Sequence, residues 1–429
     1  MPYPFSGILV RFLPMESEKC CSYGRDSATE PQEKPPAHGD GQSEPQSTDE
    51  AAPGTTQQKG PKFLTEALPD ELHVNLWEIG KTPASPFMDI GVMIGDRANT
   101  GHVVVDLPWA VEQKDISDLG SRLNGEKSVA AIFNEIVHYD GFAEGNFANI
   151  SFRKNNNDEK PFSLLRLNSQ HFTIIKIYLS DGSPASRLTV RIPPILKSVT
   201  AENIRKSAYI RFRIRNIPVE VYTSVFDQKD KALISSTIET RIVDFRINVR
   251  RGIPEELLSG DEKLYFPEFE KIHCFLTTER SEECVSQSSS YSGYRSLMDE
   301  DVWNEYVRLD SSTGISAENS VRNYLGYQWT AAAGKKLDTT GEKKKVKDLI
   351  VLARFSKVKS DATSIVRFII LVIVLGAAGS GSWELLGDLI KSEFSTFSRL
   401  CIFVSLAAMI TSVGFVARKT MAYLKKVFS

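Results

Sequence analysis

Residues 210–215 read Ile210-Arg-Phe-Arg-Ile-Arg215, and residues 243–250 read Val243-Asp-Phe-Arg-Ile-Asn-Val-Arg250. Apolar and polar side chains alternate along both segments. Successive side chains of a β-strand point to opposite faces, so the alternation predicts two strands, each with an apolar face and a face that carries guanidinium groups. These segments decide the fold class, because a helix would mix the two rows of side chains on every face.

The region around them, 161–358, is predicted to be β-rich. Between 162 and 249 the segments are rich in Ile, Val, Phe, Tyr and Thr and are separated by Gly, Pro, Asp or Asn. No helix pattern intervenes, so we predict an antiparallel, sandwich-like sheet with one polar face; an α+β fold is the alternative. The predicted strands lie at 163–167, 172–179, 188–192, 208–214, 219–226, 233–237 and 241–249.

The chain before this region divides into three predicted parts. Residues 1–14 form an N-terminal arm, and 15–62 form a disordered acidic linker. The segment 16–60 lacks Leu, Ile, Val, Phe and Trp and carries nine acidic against four basic residues, so it cannot bury enough apolar surface to offset the entropy of ordering. Residues 63–160 form a mixed α/β region, with strands at 71–79, 86–94 and 102–106 and a helix at 110–123.

The C-terminal region, 359–429, contains two apolar runs, 365–383 and 400–417, of 19 and 18 residues. Runs of this length predict a transmembrane helical hairpin. Nine basic against three acidic residues lie in 335–359, and the tail after Ala417 is basic. The positive-inside rule therefore predicts an integral membrane protein with both termini in the cytoplasm.

Small residues are concentrated in both predicted spans. Gly376, Gly379 and Ser380 lie in the first span, and Ala408 and Ser412 lie in the second. Small residues allow helix backbones to approach closely in a membrane. They predict packing within one hairpin, or a homo-oligomer assembled through the spans.

The arginine rows are the candidate site of the β-rich region. They consist of Arg211, Arg213 and Arg215 on one strand and Arg246 and Arg250 on another. One hypothesis is a solvated or salt-bridged face, with Asp244 on a neighbouring strand as the counter-ion. The other is a face for an anionic ligand or a protein partner. Aromatic residues do not alternate with the arginines on that face, which disfavours single-stranded nucleic acid as the partner.

No motif for catalysis or for a cofactor occurs. The chain has no phosphate-binding P-loop, no G-x-S-x-G and no H-E-x-x-H, and its six histidines are scattered. Five cysteines without regular spacing predict no disulfide framework. We therefore predict a non-enzymatic protein without a metal or cofactor.

By architecture alone, the chain resembles two-span membrane effectors of bacterial antiphage systems, although no sequence motif carries the likeness. The resemblance implies a cytosolic domain that senses a partner or an anionic ligand, and spans that assemble to breach the membrane. Two alternatives remain open. One is a membrane-tethered scaffold that recruits a cytosolic protein, and the other is a membrane-bound enzyme whose site is not visible in the sequence.

Overall fold

The computed structural model describes residues 3–15, 67–79, 86–142, 147–154, 157–193, 205–228, 237–259, 262–308, 321–334 and 345–359, together with 369, 370, 372, 373, 375 and 376. This part of the chain is mainly β, as the sequence predicted. The chain divides into two units, Met1–Asp227 with Glu239–Lys357, and Gln228–Ile238 with Val358–Ser429. The account that follows concerns the first unit until the C-terminal stretch is reached.

The strands are short and three short α-helices interrupt them. In chain order the elements are β1 (Leu9–Pro14), β2 (Glu71–Trp77), β3 (Phe87–Ile94), β4 (Thr100–Leu107), β5 (Ile116–Asp118), α1 (Glu126–Phe133), β6 (Val137–Phe142), β7 (Phe147–Lys154), β8 (Asn157–Leu165), β9 (Phe172–Tyr178), β10 (Pro184–Arg191), β11 (Ala208–Ile214), β12 (Thr223–Gln228), β13 (Thr237–Ile247), α2 (Glu255–Leu258), β14 (Lys271–Glu279), β15 (Glu283–Gln287), β16 (Tyr291–Ser296), α3 (Glu300–Val307), β17 (Tyr324–Ala332) and β18 (Leu349–Lys359).

The strands form three sheets. A ten-stranded sheet has the order β16-β17-β14-β2-β3-β11-β8-β7-β6, with β5 also paired to β11. Two four-stranded sheets have the orders β1-β4-β10-β9 and β12-β13-β18-β15. Most pairs are antiparallel, but β14 pairs with β2 and β11 pairs with β8 in parallel. The prediction of a purely antiparallel sheet is therefore wrong for these two pairs.

Strand β11 is buried on both faces. Ile210, Phe212 and Ile214 pack into a core that includes residues of all three sheets. The opposite row, with Tyr209 and the arginines, faces a second cluster that α1 and α3 cover. The predicted polar, solvated face is wrong here, because α1, which precedes β11 in the chain, and α3, which follows it, pack on it.

Two local predictions are also corrected. The helix predicted at 110–123 is absent; β5 lies there between two single 3-10 turns. Pairing of β5 with β11 and the bonds of Asp118 to the backbone of Gly120 and Ser121 replace helical bonds. The segment 279–292, whose Ser-rich, polar composition predicts a loop, instead contains β15 and the start of β16.

Regions that the sequence separated share sheets. The N-terminal arm supplies β1, which pairs antiparallel with β4. Strand β3, from the region 63–160, pairs along its length with β11, from the region 161–358. The predicted linker 15–62, apart from Met15, and residues 233–236 of the strand predicted at 233–237 lie outside the described residues.

Candidate functional site

The arginines of β11 lie inside the protein. Arg211 and Arg213 are 0% exposed, beneath α3. A guanidinium group buried to this extent cannot meet an external anion or a protein partner. The hypothesis of an exposed binding face is therefore corrected for these two residues, and the salt-bridged interpretation describes Arg213.

Asp89 of β3 is the counter-ion of Arg213. Arg213 donates from Nε to Oδ1 at 2.6 Å and from Nη2 to Oδ2 at 3.0 Å, so the pair is bidentate. The side chains of Trp77 and Tyr306 each donate to Oδ2 at 2.9 Å. Arg213 also donates from Nη1 to the carbonyl oxygen of Val307 at 3.0 Å. The ion pair thus fastens α3 to the sheet.

Burial and the carboxylate act in opposite directions on Arg213. Burial lowers the pKa of its guanidinium group, the charge of Asp89 and its hydrogen bonds raise it, and the net pKa is raised. Arg213 therefore stays ionised in the interior. Such a pair holds its position because every strong polar atom has a partner, although it adds little net stability over an apolar packing of the same volume.

Arg211 continues the polar network toward β2. Its Nε donates to the hydroxyl of Tyr306 at 2.5 Å and its Nη1 to the hydroxyl of Tyr209 at 2.9 Å. The side-chain oxygen of Asn75 accepts from Nη2 at 3.1 Å in the amide orientation that satisfies both of its polar groups. Arg211 is therefore satisfied by neutral partners, while Tyr306 links it to the carboxylate of Asp89.

Two histidines end this network. The ring of His73 lies 5.4 Å from that of His273, and its Nδ1 is 3.2 Å from the hydroxyl of Tyr209. Burial lowers the pKa of His73, and burial lowers the pKa of His273 to about 2. Thr330 and Gln328 approach Nδ1 of His273 at 3.0 Å. Both imidazoles are therefore neutral at physiological pH.

The network does not form a metal site. Within the described residues, no group of three or more His, Cys, Asp and Glu side chains is arranged to hold a metal ion. The polar side chains beneath α1 and α3 instead satisfy one another, which is the arrangement of a structural core.

The remaining three arginines lie apart from this network. Arg215 is half-buried at the end of β11. Arg246 pairs with Asp244 of its own strand, with Nη2 2.8 Å from Oδ2. Asp244 is thus not the counter-ion of the β11 row, as one hypothesis required. Exposed Arg250 lies 4.2 Å from the ring centre of Phe266. The five arginines therefore do not share one face.

The sequence contained a signal for the buried pair that its analysis missed. Asp89 lies in a strand whose other residues are apolar or Gly, and Asp106 has a similar setting in β4. Asp106 is also fully buried and pairs with Arg187, Nε to Oδ1, at 2.6 Å. A lone acid in an apolar strand indicates a buried charge that needs a cationic partner, because an unpaired buried charge is very costly.

An exposed apolar row on the sheet of β13 and β18 was likewise not predicted. Along β18 the residues alternate, with Val351 and Phe355 buried, and Ile350 and Leu352 exposed by 45% and 43%. Ile242 on the adjacent strand β13 is exposed by 37%. We call Ile242, Ile350, Leu352 and the exposed Arg354 the outer face. It is the candidate interaction site of the described surface.

The C-terminal stretch is described at only six positions. Residues 369, 370, 372, 373, 375 and 376 are helical. Of the residues predicted to pack the spans, Gly376 is among them, and a Cβ there would meet no atom within 4 Å. Gly379, Ser380, Ala408 and Ser412 lie outside the described residues. Among the residues that the structure describes, no helix has both the length and the apolarity needed to cross a membrane.

Known proteins do not add to this picture. No protein-family model matches the chain, and no curated protein is significantly similar to it. The functional argument therefore rests on the geometry and the sequence alone.

Proposed function

We propose that the protein is a non-enzymatic membrane effector, in which a C-terminal two-span hairpin anchors a cytosolic β-rich domain and assembles with other hairpins in the membrane. Both termini lie in the cytoplasm in this proposal. Assembly of the spans permeabilises the membrane when the cytosolic domain meets its trigger.

The observation that carries the proposal is the exposure of apolar side chains in the first run. Ile369, Ile370, Val372, Ile373 and Leu375 are helical and are exposed by 50% to 63%. Residues 368–375 are all apolar, so the described helical positions among them offer no polar side chain to water. Exposed apolar surface is unfavourable in water at about 25 cal/mol per Å². A bilayer removes this cost, and an apolar helix without a polar face is typical of a membrane span.

The small residues of the first span supply the means of assembly. Association of helices in lipid depends on close packing, since lipid tails are as apolar as Leu and Ile side chains. A Cβ at Gly376 would have open space around it. A larger side chain there therefore causes no clash with the described residues of the same chain. A loss of function in Gly376→Leu would therefore report on contacts with another helix.

The test is expression of the full chain in bacterial cells with a dye that reports membrane potential. We expect the full chain, expressed at a level at which the spans assemble without the trigger, to depolarise the membrane, and Gly376→Leu with Gly379→Leu to abolish this effect. Ile373→Leu, which changes shape without filling a small-residue position, is the matched control and should depolarise like the unaltered chain. Equal potential and growth with the unaltered chain, the double variant and an empty vector would refute the effector proposal.

A membrane-tethered scaffold is the second candidate, and β9 favours it. This strand is the last of its sheet, so the backbone groups on its outer side are available to an added strand. Ile175 and Tyr178 of β9 are exposed by 54% and 69%. Replacing residues 359–429 by an unrelated two-span anchor separates the two candidates, because a scaffold keeps its function and an effector loses it.

A further inference from the structure

The outer face differs from an ordinary solvated sheet surface. A sheet with one face in water normally alternates apolar and polar residues. Along β18 the inward positions are apolar as expected, but the outward positions Ile350 and Leu352 are large aliphatic residues as well. Ile242 adds a third aliphatic side chain from the neighbouring strand. Contact with an apolar or amphipathic surface would therefore stabilise this face by removing its aliphatic side chains from water.

The segment that carries Ile350 and Leu352 is rich in basic residues. Between 345 and 359 the chain carries five basic residues against the single acid Asp348. Lys345, Lys347 and Arg354 are exposed. The nearby acids are largely engaged: Asp244 pairs with Arg246, and Glu279 pairs with Lys357 at 2.5 Å.

Like Asp348, a second acid near the outer face has no described ion pair. Exposed Glu283 of β15 stands opposite Ser356 of β18. It reduces the positive charge at one end of the outer face but does not reverse it. The net charge of the surface is complementary to anionic lipid headgroups.

The short segment between β18 and the first apolar run also favours lipid headgroups as the surface that the outer face contacts. Only five residues lie between Lys359, the end of β18, and Ile365, the start of the first apolar run. An extended chain covers at most about 3.6 Å per residue, so the end of the strand is tethered within about 20 Å of the point at which the first span enters the bilayer. A surface tethered at this distance meets the headgroups at a high effective concentration.

We propose that the outer face lies against the anionic cytoplasmic surface of the membrane that holds the hairpin. Ile242, Ile350 and Leu352 insert at the level of the headgroups, and Arg354 with the flanking lysines contacts their phosphates. This inference rests on the proposed membrane anchor. It adds that the β-rich domain is docked on the bilayer and does not hang free on its tether.

The experiment uses the full chain in lipid nanodiscs that contain nitroxide-labelled headgroups. Leu352→Trp places a fluorophore on the outer face. Ile175→Trp is the matched control, because Ile175 is similarly exposed but lies on β9 in another sheet. The fluorescence that each substitution adds to that of the unaltered chain is compared in discs of phosphatidylcholine and in discs with an equimolar share of phosphatidylglycerol.

We expect the nitroxide to remove most of the fluorescence added by Leu352→Trp in the anionic discs and little in the neutral ones. The fluorescence added by Ile175→Trp should be unchanged in both. Arg354→Glu in the Leu352→Trp chain should restore the fluorescence to the level of the neutral discs, because an acidic side chain in place of a basic one is repelled by anionic headgroups. This charge dependence distinguishes docking from proximity alone.

Failure of the inference and failure of the anchor are distinguishable. A chain that does not co-elute with the discs refutes the membrane anchor. A chain that co-elutes but shows no quenching of the Leu352→Trp fluorescence overturns the inference and leaves the anchor intact. A blue-shifted emission without quenching also overturns it, since the face is then covered by a second copy of the chain. Equal quenching of both reporters overturns it as well.

Discussion

Removal of the charge of Asp89 is expected to destabilise the β-rich domain strongly. Asp89→Asn keeps the size of the side chain, but it leaves the guanidinium of Arg213 uncompensated in a site where the two side chains are 0% and 1% exposed. Breaking a buried pair by removal of one partner costs about 3–5 kcal/mol. The upper part of this range is expected, because Oδ2 of Asp89 also accepts from Trp77 and Tyr306 and so helps to hold α3.

The measurement is urea unfolding of the detergent-solubilised full chain, followed by tryptophan fluorescence. Asp244→Asn is the matched control, since it removes a carboxylate from a pair in which Arg246 is 42% exposed. Exposed pairs contribute about 0–1 kcal/mol. The expected difference between the two variants is therefore several kcal/mol.

A double variant tests the stated cause. Asp89→Asn combined with Arg213→Met removes both charges of the pair, so no uncompensated charge is left in the interior. The double variant should therefore lose less stability than the sum of the two single variants, by about 0.5–3 kcal/mol. If Asp89→Asn costs no more than Asp244→Asn, or if the two single losses add, the reasoning about the buried pair is refuted.

Three further outcomes are expected. The unfolded chain takes up a proton on His273 below pH 6.5, whereas burial holds the pKa of this residue in the folded protein at about 2. The stability present above pH 6.5 is therefore lost on acidification, by at most about 1.4 kcal/mol per pH unit. His273→Gln should make this loss smaller, as measured by urea unfolding between pH 7 and 5. Gly91→Ala should destabilise the domain by more than about 1 kcal/mol and lower the midpoint of thermal unfolding. The added Cβ would clash with the hydroxyl of buried Tyr209. A fluorescent tag at the C-terminus should remain in the cytoplasm of intact cells.

Each outcome has a control and a contrary result. His171→Gln, which removes a half-buried imidazole outside the network, is the control variant, and an unchanged slope in His273→Gln would contradict the assignment. Gly125→Ala should be tolerated, because a Cβ there meets nothing within 4 Å; equal effects of the two substitutions would contradict the packing at Gly91. Protease digestion of the tag from outside the cell would contradict the predicted orientation.

The sequence predicted strands well wherever local pattern governs them. The strands around 71–79, 86–94 and 208–214 appear close to their expected positions. Failures occurred where distant pairing overrides local propensity. The segment 110–123 has helical spacing, yet Ile116–Asp118 pairs with β11. A short helix is marginal because few hydrogen bonds offset the cost of forming its first turn, whereas the adjacent strand supplies backbone partners directly.

The candidate site was predicted only in part. Alternation correctly placed Arg211 and Arg213 on one face of a strand, because that follows from backbone geometry alone. Whether the face meets water or protein depends on which later element packs on it. Here α3 brings Tyr306 and the carbonyl of Val307 onto Arg213 across almost a hundred positions of sequence, and no local pattern encodes that contact.

The sequence by itself determined the β-rich class, the alternation of side chains along each strand, and the apolar C-terminal runs with their flanking charges. These features depend on the order of residues within a few positions. Only the tertiary structure decided which arginines are buried, which acids neutralise them, and that Ile350 and Leu352 are left exposed beside basic residues. The physical reason is that burial and electrostatic pairing are properties of neighbours in space, and those neighbours come from segments far apart in the chain.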